Sequence, residues 1–272
     1  MYSNNELKEI SRKIRLGIVE GVYHAKSGHP GGSLSIADIL TVLYFNEMNI
    51  DPNNPKEADR DRFILSKGHC SPALYSTLAH RGYFDENSLK TFRKIDSFLQ
   101  GHPDMNKVPG VDMTSGSLGQ GLSVANGMAI AAKLDNLDYK VYIMMGDGEI
   151  EEGQVWEAAM TSSFYKLNNI IAFVDYNGLQ IDGKLGEVKT PEPIKDKFIA
   201  FGWNVIDIDG HNFDEIQNAI SVAKNSIDKP TLILAKTTKG KGVSFMENQA
   251  GWHGKAPNEE EYNMAKKELM EV

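Results

Sequence analysis

The chain has 272 residues, 41% of them hydrophobic, which is enough apolar material for one large domain or two small ones. Its net charge is −8 and its basic residues are scattered, so the composition argues against nucleic acid and anionic membranes as partners. Cys70 is the only cysteine, which excludes an intrachain disulfide. The polar first residues lack the apolar core of a signal peptide, and we expect a cytoplasmic protein.

Hydrophobic periodicity divides the chain into alternating helices and strands. Apolar residues three and four apart predict an amphipathic helix over residues 6–23, and Ser33 is predicted to cap a helix that ends near Phe45. The later elements, in chain order, are predicted as strand 62–65, helix 119–134, strand 141–145, helix 151–167, strand 169–175, helix 193–201, strand 204–208, helix 213–225 and strand 231–235. Continuous apolar strands between helices indicate an α/β, doubly wound fold, with a mainly parallel sheet that helices cover on both faces.

Two buried strands of the predicted sheet end in polar residues. One ends in GDG at residues 146–148, and the next ends in DYN at residues 175–177. Adjacent parallel strands bring their carboxyl ends to one edge of a sheet, which is where ligands bind in such folds. Carboxylate and amide oxygens suit Mg²⁺, while the glycines and a following helix N-terminus suit a diphosphate. The sequence therefore predicts a clamp for Mg²⁺ and a diphosphate at Asp147 and Asn177.

The histidines give a second indication of a site. Five of the seven lie in loop-like sequence beside glycine or proline: His29, His69, His102, His211 and His253. Imidazole is suited to proton transfer near neutral pH, so several such loops favour a convergent site. A structural role is preferred for His24 and His80 on predicted helices, and for His211, beside which Asn212 or Asp209 can cap the next helix. Zinc is disfavoured, because the histidines form no close HxxxH-type pair.

These motifs together resemble the transketolases, which are enzymes that use thiamine diphosphate and Mg²⁺. GDG followed by a downstream Asn is similar to the motif that thiamine-diphosphate enzymes share. The transketolase resemblance rests on segments in transketolase order: SGHPGG, LSKGHCSPALY, GHPD, TSGSLGQGLSVANGMA, GDGEIEEGQVWEA, DYNGLQIDG, AKTTKGKG and WHGKAP. It implies a single thiamine-diphosphate-binding domain, the diphosphate-binding module, over residues 1–272.

By this resemblance, the residues of the site take defined roles. The metal, Mg²⁺ or Ca²⁺ in its place, is bound by Asp147, Asn177 and the backbone carbonyl of Leu179. The catalytic residues, which surround the reactive carbon and the sugar hydroxyls, are His29, His102 and His253. The cofactor contacts are His69, Gly116, Leu118, Gly146, Gly148, Glu152, Asn177, Lys239 and His253. Glu152 also corresponds to an acidic position in the network that joins paired active sites.

The resemblance also implies a reaction and a partner. A transketolase transfers a two-carbon ketol unit from a ketose phosphate to an aldose phosphate, as in the pentose phosphate pathway. Single-chain transketolases are about twice as long, and their pyrimidine-binding half has no counterpart here. We therefore expect a split enzyme, in which a second chain carries the pyrimidine-binding module and the assembly contains two copies of each chain. The initial Met and the charged tail AKKELMEV favour a natural subunit over a fragment.

Other functions share part of this pattern. A 1-deoxyxylulose-5-phosphate synthase or the α subunit of a 2-oxo-acid dehydrogenase has the same clamp, but the dehydrogenase subunits lack the loops of His29 and His253. A non-catalytic subunit is disfavoured, because Asp147, Asn177, His69 and His253 are all present. A Mg²⁺-dependent phosphohydrolase that acts through Asp147 is a further alternative, and it predicts phosphate release without thiamine diphosphate.

Overall fold

A computed structural model describes residues 1–271, and a five-stranded sheet lies at their centre. Strands β1 to β5, in chain order, are Arg62–Leu65, Val141–Gly146, Ile170–Tyr176, Asn204–Asp209 and Thr231–Lys236. They pair in the order β1-β2-β3-β5-β4, and every pairing is parallel. The predicted strands and the predicted doubly wound α/β fold are confirmed.

Ten α-helices lie within residues 1–271. Helices α1 to α10, in chain order, are Asn4–Ala25, Pro30–Leu34, Ala37–Val42, Ser71–Arg81, Gly121–Leu134, Gly153–Phe164, Leu185–Val188, Ile194–Ala200, Phe213–Lys224 and Glu259–Glu271. None of the helices in this range is both long enough and apolar enough to cross a membrane.

Two hydrophobic cores lie on opposite faces of the sheet, because successive side chains of a strand point to opposite sides. On β2, Tyr142 and Met144 belong to the core that includes α1, α3, α4, α9 and α10. Ile143 and Met145 of the same strand belong to the core that includes α5, α6 and α8. Burial on both faces explains why β2, β3 and β5 are largely continuous apolar runs in the sequence, whereas β4, at the edge of the sheet, is more polar.

The prediction of one helix from a Ser33 cap to about Phe45 is wrong in two respects: the helix starts earlier, and it is divided into two separate helices. Helix α2 begins at Pro30, whose fixed φ and missing N–H suit the first turn of a helix. Ser33 lies inside α2, and its hydroxyl donates to the carbonyl of His29 at 2.7 Å. A separate helix, α3, follows, and the chain then continues as one π-helical turn at Leu43–Glu47.

Two other predicted helices start later than expected. Helix α5 starts at Gly121, because Gly119 has a φ of 80°, which no right-handed helix can contain. Helix α6 starts at Gly153, after a single tight turn at Glu149–Glu151. That turn directs Glu149 into the interior, where it is 3% exposed.

The predicted cap at Asn212 is confirmed. Its side-chain oxygen accepts hydrogen bonds from the N–H groups of Asp214 and Glu215 at 3.0 and 3.3 Å, at the start of α9. The preceding His211 ring lies between Asp38 Oδ2, 2.8 Å from Nδ1, and the N–H of Thr238, 2.9 Å from Nε2. His211 therefore joins α3 to the loop that follows β5.

Two helical glycines provide a test of this packing. A Cβ atom at Gly17 of α1 would lie 2.3 Å from the Ser76 hydroxyl of α4, whereas one at Gly127 of α5 would meet nothing within 4 Å. We expect Gly17→Ala to lower the free energy of unfolding by about 1–3 kcal/mol through overpacking. The matched control Gly127→Ala should raise it by about 0.5–1 kcal/mol, because alanine favours the helix. Urea denaturation measures both, and equal effects would contradict the packing described.

Candidate active site

The loops that follow β1, β2, β3 and β5 meet at the carboxyl edge of the sheet. In the strand register Gly146 lies beside Asp175, and Tyr176 lies beside Lys236. The GDG and DYN motifs are therefore neighbours, and the loop TTKGKG approaches them from β5. The prediction that Asp147 and Asn177 follow adjacent strands is confirmed.

Asp147 and Asn177 take part in one polar cluster at this edge. Asp147 is 3% exposed, and its carboxylate accepts hydrogen bonds from the N–H groups of Gly148 and Gly178 at 2.8 and 2.7 Å. Burial, together with the charge of Asp175, raises the pKa of Asp147 to about 7. The Asn177 amide donates to Asp175 Oδ2 at 2.9 Å. A buried carboxylate with a raised pKa is a favourable position for a cation.

Three of the predicted histidines are mutual neighbours. The ring centroids are 5.0 Å apart for His29 and His69, 5.4 Å for His29 and His253, and 5.2 Å for His69 and His253. Burial, assisted by neighbouring basic groups, lowers the pKa of His29 and His69 to about 4 and that of His253 to about 3. Within residues 1–271, His29 Nδ1 is buried without a hydrogen-bond partner. All three rings are therefore neutral at pH 7, with nitrogen lone pairs that can accept hydrogen bonds.

Lys239 joins these histidines to the loop that follows β3. Its side chain is buried, and Nζ lies 3.0 Å from His253 Nδ1 and donates to the carbonyl oxygen of Leu179 at 3.2 Å. Burial, with the nearby charge of Lys67, lowers the pKa of Lys239. The carbonyl of Leu179, predicted as a metal ligand, therefore already accepts a hydrogen bond from a cationic group.

Other predicted site residues lie nearer the surface. His102 is exposed, and a Cβ atom at Gly116 would lie 3.3 Å from its ring, so these two residues are neighbours at the rim. Leu118 is 37% exposed and lies outside the buried cluster. Gly148 lies within the polar cluster, where a Cβ atom would lie 3.2 Å from the side chain of Gln180.

The GDGEIEE motif buries Glu149, a residue to which the sequence analysis gave no role. Glu152 is exposed at the start of α6, where it packs beside Gly119. Glu149 is buried instead, and its carboxylate accepts hydrogen bonds from the N–H groups of Gly119 and Gly146 at 2.9 and 3.0 Å and from the Ser66 hydroxyl. Burial raises the pKa of Glu149. Glu149 thereby connects the loops that follow β1 and β2, which the sequence interpretation missed.

The sequence interpretation also missed Lys67 and Asp175. Lys67 Nζ lies 2.6 Å from Asp175 Oδ2, and these side chains are 3% and 0% exposed. Asp175 also accepts hydrogen bonds from the hydroxyls of Ser35, at 2.7 Å, and Thr237, while Lys67 donates to the Gly32 carbonyl at 2.7 Å. Burial alone would raise the pKa of Asp175, but Lys67 and the hydrogen bonds lower it overall. The available signal was a lysine and an aspartate at the ends of two buried strands.

The donor atoms indicate which metal the site can hold. Within residues 1–271, no three His, Cys, Asp or Glu side chains converge as a metal-binding group. The cluster offers one carboxylate, one amide oxygen and one backbone carbonyl, from Asp147, Asn177 and Leu179. Mg²⁺ commonly takes one or two protein carboxylates and completes its shell with phosphate oxygens and water. This donor set fits a magnesium diphosphate better than it fits zinc.

The fold and this sheet edge together define a class of protein. The solved transketolase of Campylobacter jejuni superposes with a TM-score of 0.93 at 38% identity, over 99% of this chain and 43% of that chain. The present chain therefore spans less than half the length of that transketolase. The architecture is the thiamine-diphosphate-binding fold.

Sequence comparison gives the family. A family model described as the thiamine diphosphate binding domain of transketolase matches residues 7–270, and the chain belongs to the transketolase family. An apulose-4-phosphate transketolase subunit of Phocaeicola vulgatus is 47% identical over 96% of this chain and 92% of its own length. A 6-deoxy-6-sulfo-D-fructose transketolase subunit of a Clostridium species is 48% identical over 97% of this chain and 96% of its own length.

The buried ion pair allows a direct test. Lys67→Met keeps much of the side-chain volume but leaves Asp175 buried without its cation. We expect it to lower the free energy of unfolding by about 3–5 kcal/mol, measured by urea denaturation at pH 7. Lys195→Met breaks the exposed pair of Lys195 with Asp207 and should have little effect. A loss for Lys67→Met no larger than that for Lys195→Met would refute the structural role of this pair.

Proposed function

We propose that this chain is the thiamine-diphosphate-binding subunit of a split transketolase. The observation that carries the proposal is the cluster of His29, His69 and His253 at the same sheet edge as Asp147 and Asn177. A cofactor-dependent transfer of ketol units between sugars needs groups that move protons on sugar hydroxyls and a site that anchors the cofactor diphosphate. The proposal assigns the first task to the histidines and the second to the aspartate and asparagine.

In this proposal Mg²⁺ is held by Asp147, Asn177 and the carbonyl of Leu179, with Ca²⁺ as the alternative ion. One observation supports the assignment. The carboxylate of Asp147 is buried with a raised pKa, and a divalent cation beside it would favour the ionised form. Metal binding at the carbonyl of Leu179 would replace the hydrogen bond that this carbonyl accepts from the ammonium group of Lys239. Lys239 and His69 are the proposed contacts of the diphosphate.

The chemistry divides between cofactor and protein. Bound thiamine diphosphate supplies a nucleophilic carbon, which protein side chains lack. His29 and His253 are neutral at pH 7, so each is able to accept a proton from a sugar hydroxyl and return it. His102 is proposed to orient the substrate from the rim. Gly116 and Leu118 would pack against the cofactor.

The proposal includes a second chain that carries the pyrimidine-binding module, with two copies of each chain. Two relatives with lengths close to that of this chain are named as subunits, and this chain spans 43% of a solved transketolase. Exposed Glu152 is proposed to face the paired site. On α6, the helix that begins at the next residue, Met160 and Phe164 are 51% and 79% exposed. Large exposed apolar side chains favour burial against another chain.

The proposed donor is a ketose with an anionic substituent. The two relatives at 47% and 48% identity are named for apulose 4-phosphate and for 6-deoxy-6-sulfo-D-fructose. We therefore place a specialised sugar phosphate or sulfonate beside the pentose phosphates as candidate donors. All of these share the ketol unit that the reaction moves, so the proposed mechanism does not depend on the choice.

Removal of the Asp147 carboxylate tests the metal site. Asp147→Ala should weaken Mg²⁺-dependent binding of thiamine diphosphate by more than about a hundredfold, because the proposed charged ligand is lost. Isothermal titration calorimetry of the purified chain, with and without Mg²⁺, measures the change. Asp207→Ala, at an exposed carboxylate of β4, is the matched control and should bind normally. Unchanged binding in Asp147→Ala would remove Asp147 from the metal site.

An assay with thiamine diphosphate and Mg²⁺ tests the reaction and the need for a partner. The chain alone should be inactive on xylulose 5-phosphate plus ribose 5-phosphate, and the chain with its co-purified partner should turn over one of the proposed donors. In that assembly His253→Gln should lower turnover by about 10²–10⁴-fold, because the proposed proton acceptor is lost. His24→Gln, at an exposed histidine of α1, should leave turnover unchanged.

Two results would contradict this function. Strong activity of the chain without a partner would refute the split enzyme. Consumption of pyruvate in place of a ketose would indicate a different thiamine-diphosphate enzyme, such as a 1-deoxyxylulose-5-phosphate synthase.

A further inference from the structure

Arg93 occupies an unusual backbone position beside the site. Its φ is 60°, in the left-handed region that residues with a side chain seldom adopt, and its N–H donates to the carbonyl of Leu99 at 2.8 Å. This tight loop packs the guanidinium against Gly101, where a Cβ atom would lie 2.9 Å from Cζ. Gly101 directly precedes His102. The arginine is therefore fixed to the loop that carries one predicted catalytic histidine.

The same side chain also reaches the loop of another predicted catalytic histidine. Arg93 donates from one terminal nitrogen to the Ser27 hydroxyl at 3.1 Å, and Ser27 lies two residues before His29. One guanidinium thus connects the loops of His29 and His102. Each loop also has its own anchor, since the Tyr75 hydroxyl donates to the His102 carbonyl at 3.0 Å and the Ser33 hydroxyl donates to the His29 carbonyl at 2.7 Å.

The charge of Arg93 is not neutralised locally. None of the ion pairs formed within residues 1–271 includes Arg93. Its Nε is buried and has no hydrogen-bond partner in the same part of the chain. A partly buried cation without a carboxylate is costly, and such groups concentrate at functional sites.

The positive charge of Arg93 acts on two histidines in particular. Burial is the main cause of the lowered pKa of His29, and the charges of His69, Arg93, His102 and Lys239 add to it. His102 is exposed as a residue, but its ring is partly shielded at the rim, and its pKa is lowered first by this partial burial and then by the charges of Arg93 and His69. The leading causes differ for the other two rings: burial and the charges of Lys67 and Lys239 lower the pKa of His69, and burial and the charges of Lys239, His69, His29 and Lys67 lower that of His253.

We propose that Arg93 is a positioning residue of the active site. It ties the loops of His29 and His102 together and supplies the fixed positive charge that faces both rings. The role in catalysis rests on the proposed function, since it assumes that these two rings handle substrate hydroxyls. The electrostatic effect on the rings is a property of the chain alone and can be tested separately.

Histidine titration in the purified chain, followed by NMR of ¹³C-labelled rings, tests the electrostatic part. Arg93→Met keeps the bulk and removes the charge, so the pKa of His102 and of His29 should rise by about half a unit or more. Arg93→Lys keeps the charge and should shift them less. His253 serves as an internal reference, and Lys94→Met removes an exposed charge one position along the chain as the matched control. Thermal unfolding verifies that each variant is folded.

Distinct outcomes decide the question. A rise confined to His29 and His102 in Arg93→Met supports the proposal. Unchanged titration of both rings in a folded Arg93→Met variant, or an equal shift in His253, would overturn it. If Arg93→Met does not fold, the Arg93→Lys variant decides alone. Low pKa values of His29 and His102 in that variant support the charge effect. A rise in both pKa values would refute it.

The assembled enzyme tests the catalytic part. With the partner present, Arg93→Met should lower kcat by about tenfold or more and move the acid limb of the pH–rate profile to higher pH. Arg93→Lys should recover the pH profile. A purely structural role would change thermal stability without moving the acid limb and would refute the catalytic part. Absence of ketol transfer in the wild-type assembly would refute the proposed function, while the ring titrations would still stand on their own.

Discussion

The carboxyl edge of the sheet depends on the buried ion pair of Lys67 and Asp175. Two charges removed from water are costly unless each finds close partners, and here the hydroxyls of Ser35 and Thr237 and the carbonyl of Gly32 complete the arrangement. Because Lys67 pairs with Asp175, the two neighbouring carboxylates of Asp175 and Asp147 differ in their electrostatic state. Asp175 is neutralised by the protein, whereas the carboxylate of Asp147 keeps a raised pKa and is the acid whose charge an added cation would balance. Under the proposed function, structural stability and ligand binding are thus the tasks of different carboxylates in one cluster.

The same edge keeps its histidines uncharged in a protein whose net charge is −8. Burial is the main cause, and positive charge acts in the same direction: Lys239 lies close to His29 and His253, and the guanidinium of Arg93 acts on His29. An anionic protein thereby contains a local basic pocket in which imidazoles stay in their proton-accepting form at neutral pH. The net charge of the whole chain excludes broad classes of binding partner, but it does not determine the local charge of a single pocket.

Sequence reasoning reached the sheet and the neighbouring positions of Asp147 and Asn177, because both follow from local patterns. Buried parallel strands are continuous apolar runs, and adjacent strand ends bring Asp147 near Asn177. Helix starts were less predictable, since Pro30 and the positive φ of Gly119 override the apolar periodicity. The Lys67–Asp175 pair was missed because a strand register cannot reveal which charged side chains turn inward. The roles of Glu152 and the rim residues still rest on resemblance, because they concern surfaces that meet other molecules.

The partners of Asp175 are distant along the chain: Ser35, Lys67 and Thr237 lie 140, 108 and 62 residues away from it. No short segment can therefore build the site, and contacts of such sequence separation form slowly because each must first close a long loop. During synthesis, a nascent chain would lack the Thr237 contact until β5 had emerged from the ribosome. Under the proposed function, the capacity to bind the cofactor would then be acquired only after β5 had joined the sheet, which makes cofactor binding a report that distant parts of the chain have come together.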